Sequence, residues 1–148
     1  MKAVIQRVKR ASVSVDNKNI ASINMGLVIM LGIAKGDVDK DIDYLAEKIV
    51  KLRIFENKDL KFDKELKDVK GEILVISQFT LFADCFKGKR PYFGDAEEPE
   101  RAEELYEKFV KKLKEIYDPG KVKSGKFKAM MLVEIYNDGP VTIIISSR

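Results

Sequence analysis

Apolar positions along this chain repeat with two periods, and the switches between them outline the fold. Ala3 to Val8 alternate apolar and polar as a half-buried strand does, with Arg7 inside the run, and Ala11 to Val15 alternate again. Asp16-Asn17-Lys18-Asn19, residue types that tolerate left-handed backbone, predict a turn that returns the chain through Ile20 to Asn24. Leu27 to Ala34 is continuously apolar and predicts a strand covered on both faces. The spacing then changes to three and four. Ile42, Leu45, Ala46, Ile49 and Leu52 predict a helix that is N-capped by Asp37 and ends near Ile54-Phe55. Glu56 to Lys70 is charged and loop-like, with a short edge strand around Leu60-Lys61-Phe62, and Ile73 to Ile76 reads as a buried strand. A second helix has Pro99 in its first turn and Ala102, Leu105, Tyr106, Phe109, Val110, Leu113, Ile116 and Tyr117 as its stripe, and stops at Asp118-Pro119-Gly120. Phe127 to Tyr136 and Val141 to Ser146 read as strands joined through Asn137-Asp138-Gly139-Pro140. Strands, helix, strand, helix and strands predict one α+β or mixed α/β domain over residues 1–148, with helices packed on sheet.

The Ile73–Ile76 strand carries the candidate chemistry, because it runs directly into Ser77, Gln78 and Thr80. Alternation puts Ser77 and Phe79 on one face and Gln78 and Thr80 on the other, so a bend near Gln78 is needed to bring the two hydroxyls into one pocket. Composition narrows what such a pocket could do. The chain has no histidine and one cysteine, Cys85, which removes histidine-based triads and general bases, most zinc sites and any internal disulfide. Neither a metal nor a cofactor is expected. The charged start, Met1-Lys2 to Arg7, is unlike a signal peptide, and no apolar run has membrane-spanning length; with the lone thiol this fits a cytoplasmic protein. The net charge of +4 is mild but unevenly placed. Lys87, Lys89 and Arg90 share one loop, and Lys121, Lys123, Lys126 and Lys128 form a second cluster with no acid between them. Two basic loops could hold a phosphate backbone, and ordinary solvated lysines would look the same.

Three stretches make the chain recognisable: Arg7 to Val13, Ser77-Gln78-Phe79-Thr80-Leu81, and Asn137-Asp138-Gly139-Pro140-Val141-Thr142. Arg90-Pro91, Arg101-Ala102-Glu103 and Gly125-Lys126-Phe127 fall between the last two. In this order and spacing the chain resembles the bacterial D-aminoacyl-tRNA deacylases from end to end. The resemblance implies a three-layer α/β/β fold and a homodimer. It implies hydrolysis of the ester that joins a D-amino acid, or glycine, to the terminal adenosine of tRNA. Ser77, Gln78, Phe79 and Thr80 would then line the pocket around the ester. Gly139-Pro140 would be a cis peptide inserted into the partner subunit's pocket to exclude L-amino acids, with Arg7 holding it in place. Phe127 and Met131 match positions near the adenosine, and the lysine cluster would meet tRNA phosphates. Met130 departs from the family pattern, which carries an acid there.

An aminoacyl ester is already activated, so the catalyst needs chiefly an oxyanion site and a positioned water. Backbone N–H groups near Phe79 and Thr80 suit the first need. For the second, Thr80 and the substrate's own 2′-hydroxyl are the candidates; Thr80 as a covalent nucleophile is the weaker version, since nothing beside it in sequence activates it. The competing readings are a non-enzymatic nucleic-acid-binding dimer, a Ser/Thr hydrolase of small esters, and a purely structural dimer.

Overall fold

A computed structural model describes residues 1–86 and 88–147. Its elements are β1 (Lys2–Val15), β2 (Lys18–Ile23), β3 (Gly26–Gly32), α1 (Asp39–Val50), β4 (Phe55–Glu56), β5 (Phe62–Lys64), β6 (Glu72–Ser77), α2 (Pro99–Ile116), β7 (Val122–Ser124) and β8 (Leu132–Ser146). Short 3-10 turns cover Phe79–Phe82 and Pro119–Lys121. The main sheet runs β2-β1-β3-β6-β7, with β8 on the second edge of β1. β6 pairs parallel to both β3 and β7, and the other contacts of this sheet are antiparallel.

Alternation along the central strands explains three layers. Leu27, Ile29 and Leu31 of β3 and Ile73 and Val75 of β6 face a core completed by Ile42, Leu45 and Ile49 of α1 and Leu105, Phe109 and Leu113 of α2. Val28, Leu74 and Ile76 point the other way, into a second core with Val8, Ala11, Val13 and Ile23. Helices, central sheet and a second β layer thus stack as α/β/β. Each fully buried Leu, Ile or Phe contributes about 1.5–3 kcal/mol, so both faces of β6 stabilise the fold.

β1 serves both β layers. Ala3 and Ile5 belong to the helix-side core, whereas Val8, Ala11 and Val13 belong to the second. The change of face occurs where register shifts between Val8 and Arg10. The separate strands expected at Ala3–Val8 and Ala11–Val15 are therefore one strand with an irregularity, which hydropathy reads as a gap. The expected pair of C-terminal strands is likewise one strand, β8, because both halves pair with β1.

Other differences have local causes. Asp37 does not cap α1: one carboxylate oxygen takes the N-terminal ammonium at 2.6 Å and the other accepts the Ala34 N–H at 2.7 Å. The helix starts two residues later, where Asp41 accepts the Val38 N–H at 2.9 Å. It ends at Val50, before the expected Ile54-Phe55, since Phe55 pairs with Lys64 in the β4–β5 ribbon. Lys121 to Ser124 does not remain a loop. Val122 is buried and β7 extends the sheet, while the flanking lysine stems lie along its edge. Phe127 to Met130 precedes β8 as a turn, with Lys128 at φ +58°. The Asp16-Asn17 turn, at φ +49° and +61°, and Pro99 at the start of α2 are as expected. Among the described residues no helix is long and apolar enough to cross a membrane.

Candidate active site

β6 stops at Ser77, and the next backbone N–H, that of Gln78, still reaches Leu31 O at 2.8 Å. The chain then tightens into the Phe79–Phe82 turn, closed by Leu81 N–H to Gln78 O and Ala83 N–H to Thr80 O. The chain bends here, yet Ser77 and Phe79 line the cavity beside it whereas Gln78 and Thr80 do not, so the bend does not bring the two hydroxyls into one pocket. The first N–H groups of such a turn have no partner within it, and among the described residues neither Phe79 nor Thr80 N–H finds an acceptor elsewhere. The Gln78 side-chain amide donates to Thr80 Oγ1. That leaves the Thr80 hydroxyl proton free to donate outward. Ser77 and Gln78 are half-buried; Phe79 and Thr80 are exposed.

A cavity of ≈ 240 Å³ opens beside this strand end, lined by Ser77, Phe79, Glu97, Pro99, Ala102, Phe127 and Lys128. Phe79 is braced edge-on by Phe93, with ring centroids 5.0 Å apart. Phe127 leans on Tyr106 at 5.6 Å. Tyr106 is buried and donates to Val75 O at 2.9 Å, and burial pushes its phenol above the usual range. Gly125 N–H reaches the same carbonyl at 2.9 Å, so one acceptor ties both α2 and the Phe127 turn to β6. Met131 lies under that turn, where a Cβ on Gly125 would come within 2.7 Å of its sulfur; it supports the cavity wall without lining it. Met130 is 92% exposed and lines no part of the cavity.

Sequence reasoning missed Phe93, Glu97 and Pro99 as neighbours of the site, and assigned Tyr106 and Ala102 only to the helix stripe. The readable signal was Pro99 three residues before Ala102, which places both on the helix face that enters beside Ser77.

Gly139-Pro140 is cis, with Gly139 at φ +125°, a conformation that favours glycine. The register explains why the pair projects. Gln6 faces Thr142 and Val8 faces Asn137, so two steps of β1 span five of β8 and three residues are extruded. Arg7, buried beneath, donates from Nε to Asp138 O at 3.1 Å and from Nη1 to Ile54 O at 2.8 Å, and pairs with Glu56 at 3.4 Å. Gly139 and Pro140 themselves are exposed.

The lysine cluster divides. Lys121 Nζ donates to Lys70 O at 2.6 Å and Lys123 Nζ to Ser22 O at 2.5 Å, so both are tied to the sheet edge. Lys126 and Lys128 are exposed on either side of Phe127. Lys89 and Arg90 lie in an exposed loop pinned by the Asp84–Tyr92 bridge, and Lys87 lies outside the described residues. Among the described residues no three His, Cys, Asp or Glu side chains are grouped to hold a metal ion.

A strand end carrying hydroxyl, amide and unpartnered N–H groups thus lies beside an aromatic-walled cavity on an α/β/β fold. Residues 4–146 match the model of the family described as D-Tyr-tRNA(Tyr) deacylase. A D-aminoacyl-tRNA deacylase of Aquifex aeolicus is 59% identical over 148 residues, covering 100% of this chain and 99% of the relative. One of Clostridium tetani is 57% identical, covering 100% and 98%. Among solved structures, a c-Myc DNA unwinding element binding protein superposes with TM-score 0.95 at 44% identity, covering 100% of this chain and 99% of its own. A probable eukaryotic D-amino acid tRNA deacylase shares the fold, with TM-score 0.80 at 15% identity and 97% of each chain covered. The chain belongs to the D-Tyr-tRNA(Tyr) deacylase family and is a hydrolase.

Proposed function

We propose that this chain hydrolyses the ester of D-aminoacyl-tRNA, and of glycyl-tRNA, releasing the free amino acid and tRNA. The observation that carries this reading is the cavity at the end of β6, lined by Ser77, Phe79 and Phe127, beside the turn that carries Thr80. The terminal adenosine occupies that cavity, its base against the aromatic rings. Its ester carbonyl lies over the turn, where the Phe79 and Thr80 N–H groups meet the developing oxyanion, at about 2.7–4 kcal/mol per donor. Thr80, held by Gln78, directs its hydroxyl proton towards the reacting centre. No base touches Thr80 among the described residues, so it positions rather than attacks, and the ribose 2′-hydroxyl assists the water. Ser77 lines the cavity floor. Lys126 and Lys128 face the phosphates; Lys121 and Lys123 contribute less, being committed to backbone carbonyls.

Chiral selection falls to Gly139-Pro140. D- and L-esters carry the same groups, so strong discrimination needs a rigid obstacle. Within one chain the pair lies far from its own pocket: it projects from β8 near Arg7, whereas Ser77 is on β6, three strands from β8, and aligns through Leu31 with Ala3. At 3.3 Å per residue and 4.8 Å per strand the separation is on the order of 20 Å along the sheet. A second copy must therefore bring its Gly139-Pro140 to the pocket, making the enzyme a homodimer, with Arg7 bracing the obstacle. Being backbone, the obstacle rejects an L side chain and admits glycine.

The test is incubation with matched D- and L-tyrosyl-tRNA, with and without chelator. Cleavage of the D-ester alone, unaffected by chelator, is expected; equal cleavage of both refutes the chiral reading, and cleavage of neither refutes the activity. Pro140→Ala should cleave the L-ester as well as the D-ester, and mixing it with excess Thr80→Ala subunits should restore D-selectivity, because each pocket that keeps Thr80 then receives an intact Gly139-Pro140 from its partner. No restoration refutes the shared site. A second reading, nucleic-acid binding without catalysis, takes support from the name of the 44%-identical DNA unwinding element binding protein; salt-dependent DNA retention with no deacylation would favour it.

A further inference from the structure

A second cavity, ≈ 460 Å³, lies on the far side of Phe127, between α2 and the Ser124–Phe127 segment. Phe127 lines both it and the smaller cavity beside Ser77, so one aromatic ring separates two sites. The two share α2 as a wall: Ala102 faces the first, and Glu103 through Lys114 face the second. At 1.5 Å per residue, Ala102 to Lys114 spans about 18 Å, longer than three bases stacked at about 3.4 Å each. The wall along the two cavities is therefore longer than a single nucleoside.

Charge in the second cavity is ordered. Lys114 on α2 and Lys126 on the turn stand at its rim without an ion pair among the described residues. Glu103 and Glu107, one helical turn apart on the wall, are likewise unpaired among the described residues, although the neighbouring Glu104 is bound by Arg101 and Lys108. Carboxylates facing a nucleic-acid groove repel phosphate but accept hydrogen bonds from the exocyclic amine of cytosine. Uracil presents an oxygen at the same place and would be repelled. Every tRNA places unpaired cytidines immediately before its terminal adenosine.

Resting on the deacylase reading above, we propose that the second cavity seats the cytidine that precedes the terminal adenosine. Its base lies against the outer side of Phe127, its amino edge faces Glu103 and Glu107, and its phosphates meet Lys114 and Lys126. The site thereby reads the sequence of the tRNA end and adds affinity that a lone aminoacyl-adenosine does not have.

The test is calorimetric binding of three unesterified probes to the full chain: adenosine 5′-monophosphate, cytidylyl-adenosine and uridylyl-adenosine. Cytidylyl-adenosine should bind more tightly than the mononucleotide by about 5- to 150-fold, the range for one stacked base. It should exceed uridylyl-adenosine by about fivefold or more. Glu103→Gln should shrink the preference for cytidine over uridine while the mononucleotide affinity stays unchanged. Lys114→Ala with Lys126→Ala should lower the salt slope for cytidylyl-adenosine by about 0.7 per lysine. Equal binding of cytidylyl-adenosine and the mononucleotide, equal binding of the two dinucleotides, or no binding of cytidylyl-adenosine overturns the proposal. These readouts need no catalysis, so they stand apart from the D-ester assay, whose failure would remove the activity and leave the cytidine site intact.

Discussion

Replacing Arg7 tests the junction between the two β layers and the extruded loop. Arg7 is 5% exposed, and its two shortest bonds run to Ile54 O and Asp138 O, which lie 84 positions apart in the chain (138 less 54). Hydrogen bonds from a charged donor are worth about 1.5–3 kcal/mol each, giving about 3–6 kcal/mol for these two. The half-exposed partner Glu56 adds little, because solvent screens it. Truncation also leaves Ile54 O unsatisfied, but it removes the cost of burying the guanidinium; breaking comparable buried pairs costs about 3–5 kcal/mol. Arg7→Ala should therefore lose about 3–5 kcal/mol, and at about 2–4 °C per kcal/mol its Tm should fall by roughly 6–20 °C. Arg7→Lys keeps the charge but presents one ammonium where the fork reaches two carbonyls, so it should lose roughly half as much. The assay is denaturant unfolding at one fixed protein concentration, with amide exchange of residues 137–141 followed in parallel. If both variants stay within about 1 kcal/mol of wild type and the loop exchanges no faster, Arg7 does not hold the extruded segment and the reasoning fails.

Thr80→Ala should lower kcat for D-tyrosyl-tRNA by about 10²–10⁴-fold with little change in Tm, as expected of a positioning group; a trapped acyl-enzyme on wild-type Thr80 would show a nucleophile instead. Lys121→Met with Lys123→Met should leave the salt dependence of the tRNA KM nearly unchanged, and a slope change of about 0.7 per lysine would assign them to phosphates. Tyr106 is held protonated by burial, so its folded pKa lies above the unfolded value of about 10. Its stability contribution is complete below pH ~10 and declines as pH rises above that value, where only the unfolded chain readily releases the proton. Tyr106→Phe should flatten this alkaline decline in a pH series of denaturant midpoints, and an unchanged slope would point to another group.

How much was legible in the sequence depended on whether a signal was local. The helix stripe from Ala102 to Leu113 and the buried run Ile73–Ile76 follow from period alone, because one face or both faces are simply covered. The bend after Ser77 was expected in order to bring Ser77 and Thr80 into one pocket; the chain does turn there, but Thr80 does not line the cavity that Ser77 lines. Asp37 was misread because its partner is the ammonium of Met1, far away in sequence. β7 was missed because Val122 alone is buried between two lysines whose stems lie along the sheet edge. The irregularities in β1 and β8 were read as breaks, because hydropathy has no term for a strand that changes layers. Phe127 was recognisable only through its motif; Tyr106 behind it, which ties the cavity wall to β6, looked like any other stripe residue.

The pairing of β1 with β8 joins residues 118 to 144 positions apart, from Ser14 with Leu132 to Lys2 with Ser146. Closing so long a loop carries a large entropic cost that is recovered only when the ladder forms, so this contact belongs to the slow, high-contact-order class. During synthesis on the ribosome the first strand waits with one edge bare until nearly the whole chain has emerged. A bare edge is a template for pairing with other chains. A truncation ahead of Leu132 would keep both helices, β3 and β6, yet leave that edge permanently open, so such a fragment should aggregate rather than persist as a smaller folded unit.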